Sequence, residues 1–350
     1  MNRIETDTNL LDDAARAGWL YYVGGMTQDQ IAGELGVSRQ RAQRLVSRAI
    51  AEGLIQVRLE HRLAPCLALE AELMRRFGLG QARVAPGLGA GADANRAIAG
   101  LAAQMLEGFL RRAEPLIVAL GTGRALRAMV DQLTPMEADQ HRIVSLIGNI
   151  APDGSASFFD VIMRIADKVR APHYPMPVPV ISDTAEERAL FHRLRPVENV
   201  TALARLADVT FVGVGQMGGD APLLKDGFVT ASELDEMQAR GAIGEVAGWV
   251  FDAEGRYIDT GINERVGGVR VEAGRTEPVY GIAAGATKVP AIRAALQSRI
   301  INRLITDEAT ATALLACQGR TRPPSPLPPG TDGAPAVARG LRPFPNRQAR

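Results

Sequence analysis

The chain has 350 residues and a net charge of +1 at pH 7. That length is enough for two domains, and the balanced charge excludes a uniformly basic surface that coats nucleic acid without selectivity. Its two cysteines lie far apart on apolar segments, so neither a disulfide framework nor a zinc site is indicated. No apolar run approaches the roughly 18 residues of a membrane helix, and the N-terminus does not resemble a signal peptide. We therefore expect a cytoplasmic protein with no membrane partner, no metal and no cofactor.

Residues 10–23 carry apolar side chains at helical spacing, which predicts a first helix. Residues 28–47 predict two further short helices around Gly36, where the turn needs a positive φ that glycine adopts without strain. Thr27 and Ser38 stand where the N-caps of these two helices are expected. The pattern is typical of a helix-turn-helix. Its core faces are supplied by Ile31, Leu35, Leu45 and Val46.

The second of these helices is basic along its length. It carries four arginines and no acidic residue before Glu52, although residues 1–60 as a whole hold seven arginines and eight acidic residues. Arginine and glutamine at the start of a recognition helix can read base edges in the major groove, while other arginines hold phosphates. The alternative is a pair of amphipathic helices with a solvated charged face, but the order of small, apolar and basic positions favours DNA. The residues expected at the DNA are Thr27, Gln28, Ser38, Arg39, Gln40, Gln43, Arg44 and Arg48.

A connecting region follows the basic helix. Residues 54–59 alternate as a short strand or wing, and residues 65–77 predict a helix whose apolar face (Leu67, Leu69, Leu73 and Phe77) can pair with a second subunit. We therefore assign residues 1–60 to a winged helix-turn-helix DNA-binding domain and residues 61–80 to a connecting helix. Reading two half-sites requires two recognition helices, so a homodimer at least is expected.

From residue 81 onwards short apolar runs alternate with helical stretches. Continuous apolar strands between helices are typical of a doubly wound α/β fold, whose ligands bind beyond the carboxyl ends of its strands. This domain is expected to end at residue 317, because residues 323–350 hold eight prolines and predict a disordered tail over residues 318–350. The predicted strands are residues 116–120, 143–147, 177–181, 209–214, 249–251, 279–283 and 301–305, and the predicted helices are residues 94–112, 158–170, 289–298 and 307–315.

A glycine-rich turn, Gly121-Thr122-Gly123-Arg124, follows the strand predicted at residues 116–120 and opens a helix. Backbone N–H groups at such a turn, with the positive end of the helix dipole, can bind an anion. The threonine and the arginine add a hydroxyl and a charge, although a turn without a ligand is the alternative. The chain contains neither a Walker phosphate loop nor the GxGxxG dinucleotide fingerprint, which disfavours ATP hydrolysis and NAD chemistry.

A second turn of this kind, Gly285-Ala-Thr-Lys288, follows the strand predicted at residues 279–283. Lysine is rare in the chain, so a lysine at a strand-to-helix junction favours a ligand contact. Glu245 and Asp252 lie near another glycine-rich bend and can accept hydrogen bonds from sugar hydroxyls; equally, they can cap or start turns. The expected effector-binding residues are Gly121, Thr122, Gly123, Arg124, Gly148, Gln216, Glu245, Asp252, Gly285 and Lys288.

Several sequence blocks together resemble one family. Over residues 10–317 the chain resembles the SorC/DeoR-type sugar-binding transcriptional regulators, which control carbohydrate operons in bacteria. The blocks are TQDQIAGELGVSRQRAQRLVSRA at 27–49, GTGRAL at 121–126, DVTFVGVG at 208–215, GAIGEVAGWVFDAEG at 241–255, VYGIAAGATKVPAIRAAL at 279–296 and INRLITDEATATALL at 301–315.

This resemblance implies an effector domain similar to sugar-phosphate isomerases of the glucosamine-6-phosphate deaminase type, which binds a sugar, a polyol or their phosphates. It also implies that residues 121–124 and Lys288 face a phosphate or its equivalent, with Glu245 and Asp252 near the hydroxyls. The family commonly has glycine at Ala284 or Ala286, and threonine or serine at Arg124. These departures leave a free polyol open as the ligand.

The expected function is a DNA-binding regulator, a repressor, of a carbohydrate or polyol operon that is controlled by a bound small molecule and is not an enzyme. One alternative is a sugar-phosphate isomerase or deaminase with an appended DNA-binding domain. It would draw acid–base groups from Glu245, Asp252 and one of the four histidines, none of which stands in a motif of telling spacing. A σ-factor-like module is a second alternative, disfavoured by the long α/β domain.

Overall fold

A computed structural model describes residues 2–55, 63–89, 91–155, 161–259 and 261–317 of the chain, with side chains in the first helix from residue 10 onward. Parts of the predictions fall outside these ranges: residues 56–59 of the wing, residues 61–62 of the connecting region, residues 158–160 of the helix predicted over 158–170, and the tail over residues 318–350. No helix within the described ranges is long and apolar enough to cross a membrane.

The helices include the predicted ones, and α8 to α12 are additional to them. A 3-10 turn, Ala286–Lys288, leads directly into α13. The helices are α1 Asn2–Tyr22, α2 Gln28–Leu35, α3 Arg39–Ala51, α4 Ala64–Phe77, α5 Ala94–Leu110, α6 Arg124–Asp131, α7 Val161–Ala166, α8 Ala185–His192, α9 Arg195–Arg205, α10 Pro222–Lys225, α11 Ala231–Ala239, α12 Gly261–Arg265, α13 Val289–Gln297 and α14 Glu308–Ala316.

The strands form one large sheet and two small ones. The large sheet has seven strands in the order β1-β12-β11-β7-β2-β4-β6, and all its neighbouring strands are parallel. A three-stranded antiparallel sheet, β10-β9-β8, and a parallel pair, β3-β5, accompany it. The strands are β1 Gln81–Ala85, β2 Ile117–Leu120, β3 Met136–Glu137, β4 Arg142–Ile150, β5 Val169–Arg170, β6 His173–Pro179, β7 Val209–Gly213, β8 Gly215–Gln216, β9 Gly244–Val246, β10 Trp249–Phe251, β11 Val279–Ile282 and β12 Arg303–Asp307.

The large sheet is covered on both faces, as its continuous apolar strands predict. One core cluster joins the sheet to side chains of α5, α6 and α7. The other joins it to α4, α9, α13 and α14. The mixed α/β class with a large parallel sheet is therefore confirmed.

The order of the strands reverses at the middle of the sheet. From β2 the chain proceeds through β4 to β6 at one edge, and from β7 it proceeds through β11 to β12 in the opposite direction. Strands β2 and β7 are neighbours, so the connections that leave their carboxyl ends diverge. A crevice opens at such a reversal, and ligands of open parallel sheets bind there.

Helices α1, α2 and α3 pack around a small core of their own. Gly18 permits α1 to approach α3 closely, because a Cβ at this position would lie 2.8 Å from the Ala49 Cβ and 2.7 Å from Ile55. The side chains of this core are short and apolar, which suits crossings between short helices. Its buried residues are Ala14, Ala17, Ile31, Ala32, Ala42, Leu45, Val46 and Ala49.

The helix predicted over residues 158–170 is wrong at its C-terminal end. Helix α7 ends at Ala166, and Val169–Arg170 pairs with Met136–Glu137 as a short parallel strand. Val169 is β-branched and fully buried, and both properties favour a strand. Residues 156–160 lie outside the described ranges.

The apolar face predicted on residues 65–77 does not remain open for a second subunit. Leu73 and Phe77 are buried in the core of the same chain, where α4 contacts β1 and α14. Cys66 is buried beside them, and burial together with the nearby Glu308 carboxylate raises the pKa of its thiol to about 11. Of this face, Leu67 is exposed.

Candidate nucleic-acid interface and ligand site

The turn between α2 and α3 has the geometry that its sequence predicts. The Thr27 Oγ1 accepts a hydrogen bond from the Gln30 N–H at 3.4 Å, while the Gln30 side chain accepts one from the Thr27 N–H at 2.8 Å, which completes a capping box. The Ser38 Oγ accepts from the Arg41 N–H at 3.3 Å and caps α3. Gly36 has a φ of 63°. Thr27 and Ser38 thus orient α2 and α3 through local hydrogen bonds.

Helix α3 presents its polar side chains outwards. Arg39, Gln40, Gln43 and Arg44 are exposed, Gln28 at the start of α2 is half-buried, and the opposite face of α3 is buried against α1 and α2. This arrangement leaves the N-terminal half of α3 free to enter a major groove, as a recognition helix does.

Acidic residues of neighbouring turns lie beside the arginines of α3. Arg39 lies 3.4 Å from Asp29 of α2, Arg41 lies 3.5 Å from Asp13 of α1, and the half-buried Arg48 lies 3.5 Å from Glu52. Asp29 and Asp13 belong to other helices, so the sequence of α3 alone does not indicate these pairs. Exposed pairs of this kind are worth about 0–1 kcal/mol, so DNA phosphates can replace them.

The first glycine-rich turn lies at the strand reversal. The Gly121 N–H donates to the Phe211 carbonyl of β7 at 2.8 Å. Gly213, where β7 ends, faces the Thr122 carbonyl, since a Cβ there would lie 3.4 Å from it. Gly123 takes a φ of 110° and precedes α6 without a side-chain cap. Helix α6 therefore begins beside the carboxyl ends of β2 and β7, where its first backbone N–H groups lie.

The second glycine-rich turn lies at the same edge of the sheet, after β11. Gly285 has a φ of 119°, and its N–H donates to the Thr310 Oγ1 of α14 at 2.8 Å. The 3-10 turn that follows ends at Lys288, which is half-buried. The 3-10 turn contacts β8, the strand that follows β7 in the chain. The two turns predicted as ligand sites are thus brought to one crevice.

Glu245 enters this crevice from the small antiparallel sheet. It lies in β9 opposite Gly215 of β8 and Val250 of β10. Its carboxylate accepts from the Gly248 N–H at 2.8 Å. A Cβ at position 215 would overlap the Glu245 carboxylate, so glycine at this position admits the acid to the crevice.

Glu245 and Lys288 influence each other across the crevice. Burial raises the pKa of Glu245, and this effect exceeds the opposing effects of the Gly248 N–H and the Lys288 charge. Burial likewise lowers the pKa of Lys288, and Arg124 adds to this, while Glu245 and Asp93 oppose it. Incompletely solvated charges of this kind mark candidate functional sites.

The raised pKa of Glu245 predicts a pH dependence of stability. The contribution of Glu245 to the free energy of unfolding is fully present below the pKa of this group in the unfolded chain, near 4.5. It is lost as pH rises through the higher pKa of the folded protein. Glu245→Gln should therefore gain stability relative to the wild type as pH rises from about 4.5 towards neutrality. Urea unfolding at a series of pH values measures this difference, and a difference that does not change with pH would contradict the raised pKa.

Arg124 makes a contact that sequence reasoning missed. Its Nη2 lies 2.7 Å from one oxygen of Asp226 and its Nη1 lies 3.3 Å from the other, in a bidentate ion pair. Gln216 is buried nearby in β8, where its amide donates to Asp220 at 2.7 Å. In the sequence, Asp226 stands out only as part of a Lys-Asp-Gly turn at residues 225–227. The composition of a turn does not reveal that its aspartate pairs with Arg124, 102 residues away.

Two predicted ligand residues have structural positions instead. Both oxygens of Asp252 serve the turn after β10: one accepts from the backbone N–H groups of Glu254 and Arg256, and the other pairs with the Arg256 side chain at 2.9 Å. Gly148 lies inside β4, not beyond its end. A Cβ there would overlap the Pro179 backbone, so close packing against β6 accounts for this glycine. Neither residue enters the site that we propose.

Two of the four histidines considered as acid–base groups make hydrogen bonds elsewhere. His141 is fully buried, its Nδ1 accepts from the Leu116 N–H at 3.1 Å, and its Nε2 lies 3.0 Å from the Leu110 carbonyl. The Nε2 of His192 lies 2.9 Å from the Gly267 carbonyl. His173 follows Pro172 at the start of β6, and His61 falls outside the described residues.

A cavity of about 500 Å³ opens at the carboxyl ends of β1 and β12. It lies on the same edge of the sheet as the crevice and is lined by residues 87–89, 92–94, 97, 307–309 and 312. Asp93 connects the two features, because it belongs to the lining and its charge acts on Lys288.

The fold is that of a known family of regulators. The family model Sugar-bind, "Putative sugar-binding domain", matches residues 61–316. The chain is 34% identical to the Erythritol catabolism regulatory protein EryD of Brucella abortus, over 86% of this chain and 96% of that protein. It is 33% identical to the Transcriptional regulator LsrR of Escherichia coli O157:H7, over 87% and 94% of the two chains.

Solved structures agree with this assignment. The full-length Sorbitol Operon Regulator SorC from Klebsiella pneumoniae superposes with a TM-score of 0.64 at 26% identity, covering 87% of this chain and 99% of that one. The Probable sor Operon Regulator from Shigella flexneri superposes with a TM-score of 0.62 at 25% identity, covering 71% and 99%. The chain belongs to the sugar-binding domain family of SorC/DeoR-type transcriptional regulators, which confirms the resemblance of its sequence blocks.

Proposed function

We propose that the protein occupies operator DNA through α3 and that a sugar, a polyol or a sugar phosphate, bound at the crevice, controls this occupancy. One observation supports the ligand-binding part of this proposal. Two glycine turns without side-chain caps, at Gly123 and Gly285, lie at the strand reversal together with three charged side chains, Arg124, Lys288 and Glu245. Donors and acceptors converge there on one opening, which is the usual construction of a small-molecule site.

The DNA half is supported by the exposed face of α3. Arg39, Gln40, Gln43 and Arg44 provide long donors on adjacent turns, and such side chains form bidentate contacts with guanine and adenine. Thr27 and Ser38, with their caps, hold the two helices in the orientation needed for docking. Two such helices must meet successive half-sites about one helical turn, roughly 34 Å, apart, so we propose a homodimer or homotetramer.

The regulated genes, we propose, serve carbohydrate or polyol catabolism, and the protein represses them. The relatives named for erythritol catabolism and for the sorbitol operon support this class of ligand. The ligand, we propose, is bound and not converted, because the relatives are named as regulators. In support, Asp252 is engaged in a turn and the described histidines His141 and His192 in backbone contacts. A change of operator affinity requires only that the ligand favour one arrangement of the subunits by about 1–3 kcal/mol.

Fluorescence anisotropy tests the proposal with a genomic DNA fragment selected for binding by the purified protein. A panel of sugars, polyols and their phosphates is added to the complex. We expect at least one compound to change the dissociation constant for DNA by roughly 5- to 150-fold. Selection of no fragment over a scrambled duplex would refute the DNA half, and an unchanged constant across the panel would refute the ligand half.

A further inference from the structure

We infer that the crevice takes an uncharged polyhydroxyl compound, a polyol or an unphosphorylated sugar, and that Asp226 excludes phosphate esters by occupying Arg124. The inference rests on the proposed function, because it names the ligand class of the same site. It assigns Asp226 as a specificity-determining residue.

Asp226 fills the position in which Arg124 would hold a phosphate. The two oxygens of its carboxylate meet two guanidinium nitrogens at 2.7 and 3.3 Å, which is the fork geometry that arginine uses for carboxylate and phosphate alike. The Asp226 side chain is only 18% exposed. Water therefore solvates this carboxylate poorly, and a phosphate brought to Arg124 would face it directly.

The segment that carries Asp226 is held in place from several sides. The Asp226 N–H donates to the Pro222 carbonyl at 2.9 Å and so closes α10. Asp220 accepts from the Gln216 amide at 2.7 Å and from Lys225 at 3.1 Å, which ties the start of the segment to β8. These contacts fix the backbone that carries Asp226, and the ion pair with Arg124 sets the position of its carboxylate.

The second cation of the crevice also faces a carboxylate. Glu245 acts on the charge of Lys288, and Asp226 pairs with Arg124, so each cation of the crevice has a carboxylate beside it. A phosphate ester carries close to two negative charges at neutral pH and would meet a carboxylate beside each of the two cations. A hydroxyl group, in contrast, can donate to Glu245 and accept from Lys288 at the same time.

The neighbouring cavity has the same character. Its described lining contains neither lysine nor arginine, and its polar residues are Asp93, Asp307, Glu308 and Thr312. One oxygen of Asp93 caps α5, one of Asp307 caps α14, and one of Glu308 accepts from the Gly87 N–H at 2.7 Å, which leaves the second oxygens of Asp93 and Asp307 for a ligand. Carboxylates accept hydrogen bonds from several hydroxyls and repel a phosphate. The volume of about 500 Å³ lies within the range of small-molecule sites.

Calorimetric titration of the full-length protein in phosphate-free buffer tests the inference. The probes are erythritol, erythritol 4-phosphate, sorbitol, sorbitol 6-phosphate and inorganic phosphate. We expect the wild type to bind a free polyol at least roughly tenfold more tightly than its phosphate ester and not to bind inorganic phosphate. Asp226→Asn should bind inorganic phosphate and reduce the preference for the free polyol by roughly tenfold or more.

Glu236→Gln is the matched control, because Glu236 pairs with Arg240 at 2.9 Å on the exposed face of α11 and its loss changes the charge equally. It should behave as the wild type. Thermal melting without ligand reports whether Asp226→Asn disturbs the fold. If it does, Asp226→Ser removes the same charge and replaces it in the titration. Tighter binding of the esters by the wild type, or an unchanged preference in Asp226→Asn, would overturn this inference alone. Failure of all five probes to bind the wild type would overturn the ligand half of the proposed function as well.

Discussion

Arg44→Ala is expected to weaken operator binding by roughly 5- to 150-fold for each half-site, the loss of about 1–3 kcal/mol that accompanies removal of a base-reading arginine. Arg44 is exposed on α3, and within the described part of the chain its Nε donates to the Gln40 carbonyl of its own helix, at 3.3 Å. Its removal therefore costs the fold little. Anisotropy titrations with the selected DNA fragment measure the effect.

Arg75→Ala provides the matched control for this substitution. Arg75 is also an exposed arginine on a helix, and it pairs with Glu72 one turn away, so its removal subtracts the same charge from a different surface. We expect operator affinity close to that of the wild type. Equal affinities of wild type, Arg44→Ala and Arg75→Ala would mean that α3 does not read the DNA through this residue.

Lys288→Met is the second substitution for which we expect a large effect. The variant should bind the effector roughly 10- to 150-fold more weakly, because a hydrogen bond from a charged donor is worth about 1.5–3 kcal/mol. Operator affinity without effector should remain that of the wild type, since Lys288 lies in the crevice after β11 and not on α3. Calorimetry with a ligand identified by the panel measures the first quantity and anisotropy the second.

Lys168→Met separates this effect from a general effect of losing a half-buried lysine. Burial lowers the pKa of Lys168 as it does that of Lys288, but the Lys168 ammonium donates to backbone carbonyls at Asp131 and Leu133, at the far end of α6 from Gly123. We expect it to retain effector affinity. Comparable losses in the two variants would remove Lys288 from the site.

Local sequence chemistry was sufficient to predict the turn of the helix-turn-helix. Thr27 and Ser38 cap through atoms three residues away, and Gly36 requires nothing beyond its own φ. The glycine turns at Gly123 and Gly285 were accessible for the same reason, since each directly follows a continuous apolar strand. In all these cases the determining interaction lies within a few residues of the motif.

Contacts made through the topology could not be predicted in this way. Arg124 meets Asp226, and Arg39 meets Asp29, only after the strand order and the helix crossing are set. Asp252 was compatible in sequence with either a ligand contact or a turn. The hydrogen bonds of the turn after β10 distinguish the two. Strand β1 was missed because its five residues alternate polar and apolar side chains, unlike the continuous apolar runs of its neighbours.

The most direct test of the account is the reciprocity of its two sites. If the effector changes the dissociation constant for DNA by some factor, operator DNA must change the dissociation constant for the effector by the same factor. Calorimetric titration of the effector into free protein and into the protein–operator complex measures that factor. We predict a change of roughly 5- to 150-fold that matches the anisotropy result; equal effector affinities with and without operator DNA would contradict the coupling between the crevice and α3.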